Sequence, residues 1–235
     1  MTSLAVDPIE KKPLYHFHPG SRILSVGSFG CNLRCPFCQN HEISQVGAGP
    51  AGSVRLTPQR LAELTRRYAA AGSIGLAFTY NEPLVGHEFV IDTARLVRQD
   101  GLCTVVVTNG TAEPDVLDMV LPYIDAFNID LKSFSPAAYH KLGGDLPSVM
   151  AFIAKACRQS HVELTTLVVP GISDDSGQMD DEAAWIASLS PDIPLHITRY
   201  FPAWHQSDPP TSLALLQQLA AIAASHLHHV HIGNV

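Results

Sequence analysis

The chain has 235 residues, of which 46% are hydrophobic and 16% charged, and its formal net charge is −7. This composition is typical of a globular protein with a large core and excludes an intrinsically disordered chain. Because the net charge is negative and lysine and arginine form no long runs, we expect no nucleic-acid partner. No apolar stretch is long enough to span a bilayer, so no membrane association is expected. The N-terminus lacks the apolar segment of a signal peptide, which favours a cytoplasmic protein.

Residues 1–20 are expected to be irregular, because several prolines and a glycine interrupt any periodic pattern. From residue 21 onwards, short apolar segments alternate with stretches of helical periodicity, and a glycine-rich connection runs from Gly47 to Gly52. The predicted strands span 23–26, 74–78, 102–107, 126–129, 162–169, 195–199 and 229–232. The predicted helices span 58–72, 85–99, 113–121, 135–141, 147–159, 178–189 and 212–226.

Strands that alternate with helices predict a parallel sheet with right-handed crossover connections. Six such units predict an α/β fold, a partial (β/α)6 barrel of the TIM type, over residues 21–235. We find no internal linker, so residues 1–235 are expected to form a single domain. Polar and glycine-containing motifs follow directly after the strands, and in parallel α/β barrels this edge carries the active site.

Three of the five cysteines lie close together in residues 30–40, which read GCNLRCPFCQN. Cys31, Cys35 and Cys38 are spaced C-x3-C-x2-C, with an aromatic residue just before the last. A compact loop can direct three thiolates to one point, and thiolates are soft ligands that favour iron–sulfur clusters, zinc or copper(I). Three cysteines on a four-iron cluster leave one iron open for chemistry, whereas electron carriers fill all four positions.

A structural zinc site is the alternative for this loop, because His41 completes a C-x3-C-x2-C-x2-H set of ligands. The remaining cysteines, Cys103 and Cys157, lie in a strand-like and a helix-like stretch, where buried inert thiols are expected. An odd number of cysteines, three of them clustered, indicates metal binding rather than a disulfide framework.

The cysteine motif resembles the signature of the radical SAM superfamily, C-x3-C-x-aromatic-C. The resemblance implies that Cys31, Cys35 and Cys38 bind a [4Fe–4S] cluster whose open iron holds the amino and carboxylate groups of S-adenosylmethionine (SAM). It implies an oxidoreductase-like enzyme that cleaves SAM reductively to a 5′-deoxyadenosyl radical, which abstracts hydrogen from a substrate that the sequence does not identify. A reductant such as flavodoxin or ferredoxin is the implied electron donor.

Residues that follow the strands are expected to hold SAM, whose ammonium, carboxylate, ribose and adenine groups each need a partner. Glu82 is the expected acceptor from the ammonium group. Asp130 and Lys132 lie on the same side of an extended segment and are expected to hold the ribose or the carboxylate, with a surface salt bridge as the alternative. The expected SAM contacts are Asn40, Asn81, Glu82, Thr108, Asn109, Asp130, Lys132 and His196.

Within the superfamily, the order of TNG, DLKS and VVPG resembles pyruvate formate-lyase-activating enzyme. The likeness is greatest to the radical SAM member of the AmmeMemoRadiSam system, which implies Memo-like and AMMECR1-like partners and either a small-molecule or a protein substrate. Compared with longer members, the chain is expected to be a short form without an N-terminal extension and a C-terminal cysteine pair. The residues that carry this likeness are DPIEKKPLYHFHPG, the cysteine loop, FTYNEP, NIDLKSF, VVPGISDD, HITRYFP and HIGNV.

Two positions depart from the pattern of glycyl-radical-enzyme activators. Those activators carry Asp immediately before TNG, where this chain has Val107, and Arg on the strand before VVPG, where it has Thr165. These departures weaken the alternative that the chain activates a glycyl-radical enzyme of the pyruvate formate-lyase type. A non-catalytic zinc-binding module is the alternative of another class.

Overall fold

Eight strands form one sheet, and their order in the sheet follows their order in the chain. The computed structural model describes residues 1–47 and 53–235. From the second strand to the eighth, neighbouring strands are parallel, as the alternation of strands and helices predicts. The fold is therefore the predicted α/β partial TIM-type barrel. The strands are β1 (Ser3–Pro8), β2 (Arg22–Gly27), β3 (Ser73–Phe78), β4 (Cys103–Thr108), β5 (Ala126–Asp130), β6 (His161–Val168), β7 (Leu195–Arg199) and β8 (Val230–Gly233).

Helices connect the parallel strands and agree with the predicted positions to within a few residues. The hydroxyl of Thr57 accepts from the amide of Arg60, which confirms the predicted helix start at Pro58. A short helix after the cysteines was not predicted, and the glycine-rich connection lies outside the described residues beyond Gly47. The helices are α1 (His41–Ser44), α2 (Pro58–Ala69), α3 (His87–Gln99), α4 (Pro114–Val120), α5 (Pro136–Leu142), α6 (Leu146–Ala156), α7 (Ser176–Leu189) and α8 (Leu213–Ala223). Of the helices in the described ranges, none has the length and apolar character needed to cross a membrane.

The expectation that residues 1–20 are irregular is wrong at their start, where β1 adds an antiparallel edge strand to the sheet. Ser3 lies opposite Gly27 and Pro8 lies opposite Arg22. A single turn of 3-10 helix, Ile9–Lys11, follows. Proline at the end of an edge strand leaves the ladder intact, because its missing N–H falls where pairing stops. The prolines therefore end the strand instead of preventing it.

The two faces of the sheet bury different side chains. On β6, Leu164 and Val168 belong to the large apolar core beneath the helices. Glu163 and Thr165 lie on the other face, because successive side chains of a strand alternate. That inner face is the lumen of the barrel.

Residues 9–16, which we call the floor segment, close the lumen toward the N-terminal ends of the strands. Ile9 and Leu14 are fully buried against small and branched side chains of four strands, namely Ile23, Ala77, Val105 and Ala126. The carboxylate of Glu163 accepts from the amides of Tyr15 and His16 at 2.9 and 2.7 Å, so the segment is held by hydrogen bonds as well as by packing. The lumen is accessible from the other end, where the cysteine loop lies.

Candidate functional site

The cysteine loop follows β2 and is fixed at several points. Gly30 has a φ of +91°, a conformation that side-chain-bearing residues rarely adopt, and its amide donates to the carbonyl of Ile43 at 3.0 Å. The amide of Arg34 donates to the carbonyl of Leu142 at 2.8 Å, and that of His205 donates to the carbonyl of Pro36 at 2.9 Å. Neighbouring loops thus determine where the three thiols lie.

All three thiols of the loop are free and line one cavity. The amide of Leu33 and the side-chain amide of Asn109 lie 3.3 and 3.6 Å from the sulfur of Cys31 and can donate to it. Burial raises the pKa of Cys31, and it raises the pKa of Cys35 to about 11. A thiolate in such a place needs a positive partner, which iron supplies, so the donor set fits an iron–sulfur cluster.

The zinc alternative requires His41 to join the cysteines, and the structure uses His41 differently. Its Nδ1 lies 3.2 Å from the carbonyl oxygen of Cys38, and its ring is stacked on Trp204 at 5.6 Å. In residues 1–47 and 53–235, no three His, Cys, Asp or Glu side chains are grouped closely enough for a single metal ion.

The cavity that the thiols line has a volume of about 470 Å³ and lies at the C-terminal ends of the parallel strands. This is the edge at which parallel α/β barrels place their active sites. The structure brings seven of the eight predicted SAM contacts to this cavity: Asn40, Asn81, Glu82, Thr108, Asn109, Asp130 and Lys132.

Glu82 is a buried carboxylate, 2% exposed, at the beginning of the turn after β3. It accepts from the hydroxyl of Thr108 at 2.7 Å and from the amides of Asn109 and Leu84 at 2.7 and 3.0 Å. Burial nevertheless raises the pKa of Glu82 to about 7, because these three donors only partly replace lost hydration. A cation placed next to Glu82 would stabilise its ionised form.

Two asparagines of the predicted set hold loops in place. The side chain of Asn81 accepts from the amide of Ser28 at 2.9 Å and donates to the carbonyl of Gly30 at 3.0 Å. Asn40 donates to the carbonyl of Tyr80 at 2.7 Å. These bonds join the cysteine loop to the loop that carries Glu82.

Asp130 and Lys132, at the end of β5, form an ion pair of 2.7 Å beside the cavity. Burial alone would lower the pKa of Lys132, but the charge of Asp130 raises it above its ordinary value. Lys132 is therefore a permanent cation, and its charge also opposes the raised pKa of Cys35. The pair supplies both a donor and an acceptor to the cavity.

His196 is the predicted contact that the structure places elsewhere. It faces the lumen, as strand periodicity indicates, but it lies near the floor, where its Nε2 donates to Glu163 at 2.7 Å and its ring is stacked on His231. The sequence predicted correctly that His196 faces the lumen, but it did not predict that His196 lies near the floor and away from the cysteine end. It also missed Lys12 and Tyr80, which line the cavity from the floor segment and the loop after β3.

Comparison with known proteins agrees with this geometry. The model of the radical SAM superfamily matches residues 25–183, which include the cysteine loop and most of the residues around the cavity. This chain belongs to the radical SAM superfamily.

Relatives of this radical SAM protein include an uncharacterized protein of Methanocaldococcus jannaschii, which is 35% identical over 99% of this chain and 70% of its own length. Pyruvate formate-lyase 1-activating enzyme of Escherichia coli is 27% identical over 74% of this chain and 70% of its own length. A radical SAM methyltransferase from Sphaerobacter thermophilus shares the fold, with a TM-score of 0.69 and 14% identity, over 92% of this chain and 67% of that one. Membership of the superfamily supports iron–sulfur binding and an enzymatic function.

Proposed function

We propose that this chain is a radical SAM enzyme of the AmmeMemoRadiSam type that acts as a single domain, residues 1–235. One observation carries the radical SAM chemistry of this proposal, and the sequence likeness described above supports its assignment to the AmmeMemoRadiSam type. Three free thiols from one loop line the same cavity as Glu82, Asn109, Asp130 and Lys132, at the C-terminal edge of a parallel barrel.

In the proposed enzyme, Cys31, Cys35 and Cys38 hold a [4Fe–4S] cluster and the residues around the cavity hold SAM. A reduced cluster and SAM held by these residues would supply reductive cleavage of SAM and abstraction of hydrogen from the substrate. The contribution of this chain is to bind the cluster and SAM, to orient the substrate, and to exclude water from the cavity. The buried carboxylate of Glu82 accepts from the SAM ammonium, and the Asp130–Lys132 pair holds the ribose or the carboxylate.

Asn40 and Asn81 act through the loops that they fix. Because Asn40 bonds the carbonyl of Tyr80 and Asn81 bonds both Ser28 and Gly30, the cysteine loop and Glu82 keep one relative position. The floor segment closes the lumen below, which keeps water from that side away from a radical. These residues are positioning residues.

Activation of a glycyl-radical enzyme is the second candidate function, and the relationship to the pyruvate formate-lyase-activating enzyme of E. coli favours it. Val107 and Thr165, both of which line the cavity, stand against it because activators carry Asp and Arg at these places. A glycyl-radical signal in the electron paramagnetic resonance spectrum of a partner protein would support activation. The proposed partners of the first candidate are a flavodoxin or ferredoxin reductant and Memo-like and AMMECR1-like proteins, in the cytoplasm.

The proposal is tested by anaerobic purification and reconstitution with iron and sulfide, followed by incubation with dithionite and SAM. We expect bound iron and sulfide, and 5′-deoxyadenosine that forms only when the cluster is present. About one zinc per chain, without sulfide and without 5′-deoxyadenosine, would make the loop structural and contradict the proposal.

A further inference from the structure

Lys12 is a buried cation in the lumen that the proposed chemistry does not use. Its side chain is 2% exposed, yet it lines the cavity that the cysteines line, from the floor segment upward. Its Nζ lies 2.9 Å from one carboxylate oxygen of Asp7. Lys11 lies 3.4 Å from the other oxygen, and the hydroxyl of Tyr80 donates to Asp7 at 2.7 Å.

The charges of this group do not cancel. One carboxylate, Asp7, lies between two ammonium groups, Lys11 and Lys12, so the group carries a net charge of +1. Both lysines line the cavity, whereas Asp7 lies behind them on β1. The side chain of Lys11 is 68% exposed, so its charge is screened by solvent, whereas the buried charge of Lys12 is balanced by Asp7. What Lys12 offers to the lumen is therefore its unused N–H donors.

The hydrogen-bond donors of Lys12 are also incompletely used. An ammonium group has three N–H donors. Asp7 accepts one, and the hydroxyl of Tyr80 lies at 3.5 Å, at the limit of a hydrogen bond. In the described part of the chain, Lys12 has no further acceptor. Lys12 lines the same cavity as Thr165 and Thr198, and an unused donor there is suited to an oxygen of a bound molecule.

The position of Tyr80 links this group to the SAM residues. Tyr80 has a φ of +75°, a strained conformation for a residue with a side chain, and it comes two residues before Glu82. Its carbonyl is held by Asn40 and its hydroxyl by Asp7. Hydrogen bonds at its carbonyl and at its hydroxyl hold Tyr80 in this conformation. Tyr80 therefore connects the floor to the cofactor end of the lumen.

We propose that Lys12 binds the carboxylate of a small monocarboxylic acid, which is the substrate of the enzyme. This inference rests on the proposed function. A carboxylate suits the unused donors of Lys12, because its two oxygens accept charge-assisted hydrogen bonds from an ammonium group. The closed floor suits a small molecule, because the cluster and SAM are assigned to the same cavity of about 470 Å³ and leave only part of it to a substrate. Hydrogen would be abstracted from a C–H bond held between Lys12 and the cysteine end.

The test measures binding to the reconstituted, SAM-saturated protein by ligand-observed NMR. The probes are acetate, lactate and benzoate, each with its matching carboxamide, and glycerol phosphate as a phosphate ester. We expect at least one acid to bind about ten-fold more tightly than its amide, because only the acid carries the charge that Lys12 pairs.

The decisive variant is Asp7→Asn/Lys12→Gln, which removes both charges together and leaves no unpaired buried ion. In it, the preference for acid over amide should disappear. The matched control, Asp118→Asn/Lys155→Gln, removes an ion pair at the surface and should keep the preference. Circular dichroism verifies that both variants are folded, and Lys12→Arg, which keeps the charge, should retain the preference if the double variant unfolds.

Any of four results would overturn the inference. They are equal binding of acids and amides, binding of none of the acids, stronger binding of the phosphate ester, and an unchanged preference in the double variant. Formation of 5′-deoxyadenosine is measured in the same samples. If it forms while acids and amides bind equally, Lys12 is excluded and the proposed function stands. If acids bind through Lys12 and no 5′-deoxyadenosine forms, the floor is an anion site and the proposed function fails.

Discussion

Two buried glutamates, one at each end of the lumen, have pKa values that are shifted in opposite directions. At the cysteine end, burial raises the pKa of Glu82 to about 7. At the floor, burial also acts to raise the pKa of Glu163, but hydrogen bonds from His161, His196 and the amides of Tyr15 and His16 hold it well below its usual range. Both carboxylates are almost inaccessible to solvent.

The difference lies in the partners that each carboxylate already has. Glu163 has four donors from the protein, two of them imidazoles, so its ionised form is fully stabilised by the fold. Glu82 has three neutral donors and keeps an unmet demand for positive charge. Glu163 therefore anchors the floor segment, whereas Glu82 is suited to a cationic ligand.

Replacement of Glu163 by Gln should have the largest effect on stability. The variant leaves donors of Tyr15, His16, His161 and His196 with a poorer acceptor, so we expect a loss of about 3 kcal/mol in the free energy of unfolding. Urea denaturation measures it. Glu88→Gln, at an exposed glutamate, is the control and should change stability by less than about 0.5 kcal/mol. A loss below about 1 kcal/mol would show that the carboxylate does not anchor the floor segment.

Replacement of Glu82 by Gln should act on the ligand instead. The neutral amide cannot pair with the ammonium of SAM, so the dissociation constant of SAM should rise about ten-fold or more, as equilibrium dialysis would show. Glu182→Gln is a matched control, because Glu182 is also buried, its pKa is raised to about 8, and it bonds Thr166 on the helix side of β6. If both variants bind SAM equally well, Glu82 is not a SAM contact.

The floor should loosen in acid. Because the pKa of Glu163 is lower in the folded chain than the ordinary value of 4.5, its contribution is complete above that pH and is lost as the pH falls toward the folded value. The free energy of unfolding should fall by at most about 1.4 kcal/mol per pH unit from this group. Denaturation of the wild type and of Glu163→Gln between about pH 3 and pH 6 isolates the contribution of Glu163 to the free energy of unfolding. If this free energy depends on pH in the same way in both proteins, Glu163 does not make the floor sensitive to acid.

Tyr80→Phe should have the smallest effect. It removes the hydrogen bond from the Tyr80 hydroxyl to Asp7, which joins the two ends of the lumen, and should cost about 1 kcal/mol. Thermal unfolding measures the change. Tyr68→Phe, at an exposed tyrosine of α2, should be neutral. Equal melting temperatures of the two variants would mean that the hydroxyl of Tyr80 contributes nothing.

The sequence predicted the parallel strands and the cavity residues at their ends because both depend on local patterns. Apolar runs such as that of β6 mark buried strands, and a motif that follows a parallel strand must lie at the C-terminal edge. Glu82, Asp130 and Lys132 were located in this way. Their inclusion around one cavity follows from the topology alone.

The floor could not be predicted because its contacts are distant in the chain. Glu163 meets Tyr15 and His16 about 150 residues away in sequence, and β1 is an edge strand that is recognised only by its pairing with β2. Lys12 stands in a proline-bounded segment whose path no periodicity reveals. His196 shows the same limit, since alternation gives the face of a strand and not the height along the barrel.

A comparison of two cysteines tests whether the cysteine loop carries the chemistry. Cys35 and Cys157 are both largely buried thiols with a pKa raised to about 11, but only Cys35 lies in the loop. We predict that reconstituted Cys35→Ala forms no 5′-deoxyadenosine above background, while Cys157→Ala matches the wild type. Equal formation of 5′-deoxyadenosine by the two variants would show that the cysteine loop does not carry the chemistry.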